Sequence, residues 1–145
     1  MANQHNLENI SFANLVILCS NNGSIVDCLV SNNIISRQKP CKCGHHMNII
    51  KTKRNKDGRE YKCPKCKTCR SLRGETGFGR WKLPLSTLLC IVWCWAHDYN
   101  IYETCRLVPR VCRRSCNRIY KWLRKLARQY QRENIKEIGI KHAIK

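Results

Sequence analysis

Apolar residues recur at helical spacing in three stretches of the chain, and the segment between the first two follows a different rhythm. The first stretch is Leu7 to Val30, where Leu15, Leu18, Val26, Leu29 and Val30 carry the apolar face. Asn21-Asn22-Gly23 interrupts it, and Ser24 is placed to cap a second short helix over Ile25 to Val30. Ser31 to Pro40 is polar and reads as a linker. Met47 to Lys53 and Arg59 to Lys62 then read as two short strands, with Asp57-Gly58 between them as a hairpin turn. From the first-turn proline Pro84, Leu85, Leu88, Leu89, Val92, Trp93 and Trp95 predict a helix that is apolar nearly all round. His97 follows as its C-terminal cap, and Tyr99-Asn100 makes a turn. Ile101 to Val108 predicts a short helix that Pro109-Arg110 breaks. A last helix, Arg113 to Gln131, buries the stripe Cys116, Ile119, Leu123, Leu126 and Tyr130.

Composition and charge narrow the class. At 145 residues and 43% hydrophobic, the chain suits one domain or two very small ones with a modest core. The longest apolar run, Leu83 to Ala96, falls short of the roughly 18 residues a membrane span needs, and the first ten residues have no signal-peptide character. The expectation is therefore no membrane and a reducing compartment, where the 12 cysteines serve as metal ligands or small buried hydrophobes rather than disulfides. The net charge of +19 is concentrated in two blocks, +12 over Arg37 to Lys82 and +10 over Arg106 to Arg132. The second block has no acidic residue, whereas solvated faces usually mix signs. Two basic blocks on separate modules point to nucleic acid.

Cysteines bracket the hairpin: Cys41-Lys-Cys43-Gly44 before it and Cys63-Pro-Lys-Cys66 after it. That is the layout of a zinc ribbon, in which two cysteine knuckles hold one zinc ion in a tetrahedron of thiolates. A segment this small has too little core to fold alone, so the metal would supply folding energy. The expected ligands are Cys41, Cys43, Cys63 and Cys66. The first knuckle has one residue between its cysteines rather than two, which leaves His45 or His46 as alternatives to Cys41, with Cys69 a further candidate.

The last three helices, with a tight turn before a strongly basic final one, describe a helix-turn-helix. In that geometry Arg113 begins the reading helix, Arg114, Asn117, Arg118 and Lys121 face base edges, and Arg124, Lys125 and Arg128 face phosphates of duplex DNA. The fold class expected is mainly α with a small β zinc ribbon. Its divisions are 1–36 helical cap and linker, 37–82 zinc ribbon, 83–132 helix-turn-helix domain and 133–145 tail, frayed after Glu133.

The run Cys63-Pro-Lys-Cys66, Ser71-Leu72-Arg73, Phe78, Trp81-Lys82-Leu83-Pro84-Leu85 and Trp93-Cys94-Trp95-Ala96-His97 resembles the N-terminal half of ISXO-type insertion-sequence DDE transposases. The resemblance covers about Ser24 to Ile138. It implies binding to transposon terminal repeats, with a second copy or an intact transposase as candidate partners. The expected location is the nucleus if the host is eukaryotic, with basic clusters such as Lys51-Thr52-Lys53-Arg54 as import signals, and otherwise the cytoplasm with the nucleoid. Three departures stand out. The first knuckle is C-x-C. Gly74-Glu75-Thr76-Gly77 varies the family's approach to the helix. Cys112 takes the place of a serine cap, so the last helix is expected to fray at its start. Family members continue past Ile138-Gly139 into an RNase-H-like domain with three metal-binding carboxylates; here six residues follow Gly139. The expected function is thus sequence-specific DNA binding with no catalytic residues of its own. The alternative is a sequence-blind nucleic-acid-binding or protein-interaction zinc-ribbon module. A redox role for Cys63-Pro-Lys-Cys66 lacks the βαβ context that such a motif needs.

Overall fold

The computed structural model describes residues 7–74 and 76–143. Among these, five α-helices and a four-stranded antiparallel sheet make up the fold, and the chain divides into two compact units, 1–90 and 91–145.

The first unit opens with a short 3-10 turn at Leu7–Asn9, α1 at Phe12–Cys19 and α2 at Asn22–Ser31. Ser11 caps α1 by accepting from the Asn14 N–H. α2 starts earlier than the sequence suggested, because Asn21 rather than Ser24 is the cap, accepting from the Gly23 N–H at 2.9 Å. Leu15, Leu18, Ile25, Val26 and Leu29 are buried, as an apolar helical face requires, while Val30 is half-buried.

The sheet runs in the order β1 (Gln38–Pro40), β2 (His46–Lys51), β3 (Arg59–Lys62) and β4 (Cys69–Arg70). The segment read as a linker therefore contributes an edge strand, paired Gln38 to Asn48 and Pro40 to His46. Proline is tolerated there because an edge strand leaves one row of backbone groups unpaired. β2 pairs with β3 from Asn48–Lys62 to Lys51–Arg59, so β2 ends before Lys53. Asp57-Gly58 is not a two-residue turn. The connection spans residues 52–58, closed by Thr52 N–H to the Gly58 carbonyl at 2.9 Å and Gly58 N–H to the Asn55 carbonyl at 3.3 Å. Met47 and Tyr61 are buried, and the Tyr61 hydroxyl donates to the Ser36 carbonyl.

After β4, Thr76 caps a 3-10 turn at Gly77–Arg80, and α3 follows at Leu85–Ala96. Gly79 packs closely there, since a Cβ would sit 3.0 Å from the Arg73 carbonyl oxygen. The first turns of α3 meet α1: Cys19 Sγ lies 3.7 Å from the Ser86 carbonyl and 3.9 Å from Cys90 Sγ.

The second unit takes the end of α3, then α4 (Ile101–Leu107) and α5 (Arg113–Ala143). His97 Nδ1 lies 2.9 Å from the Trp93 carbonyl, and its ring stacks on Trp93 at 3.8 Å, as befits a residue closing the helix. α4 begins with a full capping box, Asn100 accepting from the Glu103 N–H while Glu103 accepts from the Asn100 N–H, both at 2.9 Å. α5 is longer than the periodicity indicated. Its apolar stripe stops being covered at Leu126, yet the backbone stays helical past Gln131 and Glu133 to Ala143. The buried set is Ile91, Cys94, Thr104, Val108, Cys116, Ile119, Tyr120 and Leu123.

Candidate functional site

Two short loops bring the candidate ligands together. In the first, the Cys41 N–H donates to the His45 carbonyl at 2.7 Å and the Gly44 N–H to the Cys41 carbonyl at 3.0 Å. In the second, the Cys63 N–H donates to the Thr68 carbonyl at 3.0 Å and the Lys67 N–H to the Cys63 carbonyl at 3.1 Å. In each loop the residue after the second cysteine takes a left-handed conformation, Gly44 at φ 88° and Lys67 at φ 61°. Glycine adopts that conformation at no steric cost. The first loop is the second with one residue removed, and it still aims both sulfurs the same way.

The result is a cluster of four thiols whose sulfurs all lie within 4.8 Å of one another: Cys41, Cys43, Cys63 and Cys66. Across the two loops Cys41 Sγ is 3.5 Å from Cys66 Sγ, and Cys43 Sγ is 3.5 Å from Cys63 Sγ. These separations exceed a disulfide bond of about 2.05 Å, and none of the twelve cysteines is disulfide-bonded. The group could hold one metal ion. His45, His46 and Cys69 are not members of it, although His45 Nδ1 lies 3.9 Å from Cys43 Sγ. The Thr68 hydroxyl, 3.2 Å from Cys66 Sγ, and the Thr68 backbone hold the Cys66 thiol down at about 6. The Cys63 thiol is also lowered, first by the Cys66 backbone N–H. At Cys43 the His45 backbone lowers the thiol, but Cys63, burial, Cys41 and Cys66 together carry it up to about 12. Thiolates this close repel one another, so ionising all four requires a cation among them.

The residues expected to meet nucleic acid all fall on the first five turns of α5. Arg113, Arg114, Arg118, Lys121, Arg124, Lys125 and Arg128 are exposed, and Asn117 is half-buried. The opposite face of the helix buries Cys116, Ile119, Tyr120 and Leu123. Leu126 and Tyr130, expected on the buried stripe, are exposed at 44% and 68%. A cleft of about 580 Å³ runs beside the helix, lined by Trp95, Asn100, Tyr102, Arg113 and Arg124 among others. α5 starts at Arg113 without the serine cap; Cys112 Sγ lies 3.2 Å from Ser115 Oγ instead, and that hydroxyl lowers the Cys112 thiol.

Two polar constellations have no counterpart in the sequence pattern. Asp57 and Arg73 form a buried bidentate pair, Nε to Oδ2 at 2.6 Å and a second guanidinium nitrogen to Oδ1 at 2.5 Å. Arg73 also donates to the Trp81 and Leu83 carbonyls, both at 2.7 Å, and Asp57 accepts from the Leu85 N–H at the start of α3. In the second unit the Tyr120 hydroxyl bridges Thr104 Oγ1 at 2.6 Å and the Tyr99 carbonyl at 2.8 Å. No spacing rule exposes either, since each joins residues that the chain brings together only when folded. Among the described residues, no helix is long and apolar enough to cross a membrane. Comparison with models of known families, with curated proteins and with solved structures gave no match to this chain.

Proposed function

We propose that this chain binds duplex DNA in a sequence-specific manner through a zinc ribbon and a helix-turn-helix, and that it descends from the DNA-binding part of insertion-sequence transposases. Its ancestral target would be transposon terminal repeats, and its place of work the nucleus or nucleoid where DNA lies. No catalysis is assigned to these residues. The observation that carries the proposal is the exposed side of α5. Seven basic side chains and half-buried Asn117 line one face of that helix, and no acidic residue occurs from Arg106 to Arg132. In this reading Arg114, Asn117, Arg118 and Lys121 address base edges, while Arg124, Lys125 and Arg128 hold phosphates.

Zinc is the metal proposed for Cys41, Cys43, Cys63 and Cys66. Zinc–thiolate bonds of about 2.3 Å in a tetrahedron place sulfurs about 3.8 Å apart, and the two cross-loop separations of 3.5 Å lie close to that. Bound there, the ion would staple the two loops and contribute folding energy.

Selection from a randomised duplex pool, with zinc-loaded protein near physiological salt, tests the reading. Enrichment of one defined site is expected. Arg118→Ala and Asn117→Ala should then relax preference at particular positions, and Lys125→Ala should weaken all duplexes about equally. Retention of all duplexes that disappears on adding salt, with no site enriched, would leave a sequence-blind polycation and overturn the proposal.

A further inference from the structure

The second unit holds a pair of thiols that neither the candidate metal centre nor the basic helix face employs. Cys105, on the last turns of α4, is half-buried, and Cys116, on the first turns of α5, is fully buried. Their sulfurs lie 3.5 Å apart. The two residues are separated in sequence by the breaker Pro109-Arg110, with Arg110 at φ 60°. A disulfide between them would close a short loop and tie the two helices together.

We infer that Cys105 and Cys116 are a reversible oxidation site, a dithiol that a hydroperoxide converts to a disulfide pinning α4 to the start of α5. This inference is independent of the DNA-binding reading. The chemistry assigns each sulfur a part. Cys105 is the more accessible, so its thiolate attacks the peroxide O–O bond, taking one oxygen as a sulfenic acid while the other leaves as water after protonation. Cys116 cannot be reached from solvent but already lies against the first sulfur. Its sulfur attacks the sulfenic sulfur as the thiol proton passes to the departing hydroxyl, so the S–S bond forms and a second water leaves. Two thiols and one hydrogen peroxide thus give one disulfide and two waters, with two electrons passing to the peroxide. Burial, and after it the adjacent Cys105, push the Cys116 thiol up to about 12. That, with its burial, keeps Cys116 unreactive towards peroxide itself, and the 3.5 Å contact with the Cys105 sulfur is what places it for the resolving role. The sulfurs must approach by about 1.5 Å to reach bonding distance. The bond would join the last turns of α4 to the first turns of α5, where Arg113, Arg114 and Arg118 are exposed.

The test uses the full zinc-loaded chain treated with hydrogen peroxide, then alkylated and digested without reductant. The expected result is a peptide joining Cys105 to Cys116, lighter by two hydrogens and restored by dithiothreitol. Cys116→Ser should leave a sulfenic acid at Cys105 that dimedone traps, and Cys105→Ser should leave Cys116 unmodified. Two results would overturn the inference: Cys105 and Cys116 both still reduced after the exposed Cys112 has been oxidised, or either of them cross-linked to Cys112 instead. Wild-type mapping decides the matter even if a variant fails to fold.

Discussion

At the scale of single residues, the strongest constraint on the first unit is the pairing of Asp57 with Arg73. Both side chains are about nine-tenths buried. All four oxygen acceptors around the guanidinium lie within 2.7 Å of it. Removing one member leaves the other charge buried without its counter-ion, which typically costs about 3–5 kcal/mol. Asp57→Asn should therefore destabilise the protein on that order in urea unfolding of the metal-loaded form. It should also loosen the start of α3, because an amide oxygen there carries no negative charge to meet the Leu85 N–H and the helix N-terminus. An unchanged unfolding midpoint would show the pair to be superficial. Tyr120→Phe is a milder change: it deletes a hydroxyl with two short hydrogen bonds and should cost about 1–3 kcal/mol. Neither role was legible in the sequence. Asp57 precedes a glycine and looks like a turn former, and its partner lies 16 residues away. The four thiols were legible, since two cysteine pairs flanking a hairpin have few other uses. Spacing alone does not single out Cys41, because spacing counts residues, whereas the loop is fixed by hydrogen bonds. Removing one residue shortens the bridge from Cys63–Thr68 to Cys41–His45 without turning the sulfurs away.

Among the elements, those with an apolar rhythm were readable and those without were not. α3 and the start of α5 announce themselves through buried positions three and four apart, Leu85, Leu88 and Leu89 in one and Cys116, Ile119 and Leu123 in the other. β1 has no such signal: Gln38-Lys39-Pro40 alternates nothing, and only pairing with β2 makes it a strand. The end of α5 is hidden from the sequence for the opposite reason. Periodicity reports burial, but residues 124–134 are good helix formers that need no covering face to remain helical. Leu126 therefore keeps the rhythm of the stripe while lying outside the core. A paired substitution separates rhythm from burial. Leu123→Ala, at 7% exposure, should cost about 2–5 kcal/mol. Leu126→Ala, at 44%, should stay within about 0.5 kcal/mol in the same thermal or denaturant unfolding assay. Equal losses would mean that something covers α5 beyond Leu123 in solution.

Over the whole molecule, the two units rely on different sources of stability. The sheet of the first unit is built from short strands of three, six, four and two residues, with Met47 and Tyr61 as its buried apolar side chains. The thiol cluster lies at the ends of those strands, so a bound ion would close the sheet where it is weakest. The second unit buries its own apolar set, with Tyr120 and Thr104 hydrogen-bonded among them, and has no part in that cluster. A chelator should accordingly abolish amide protection across residues 38–70 while residues 113–123 stay protected in hydrogen exchange. Loss of protection in both segments together would show that the metal supports the entire chain. The charge is divided in the same way, +12 over Arg37 to Lys82 and +10 over Arg106 to Arg132. If α5 reads sequence and the sheet mainly adds phosphate contacts, chelation should lower affinity for the selected duplex and flatten its salt dependence, since each lost phosphate contact removes about 0.9 from the slope. The preferred site itself should not change. A changed site after chelation would move the reading of bases from α5 to the sheet.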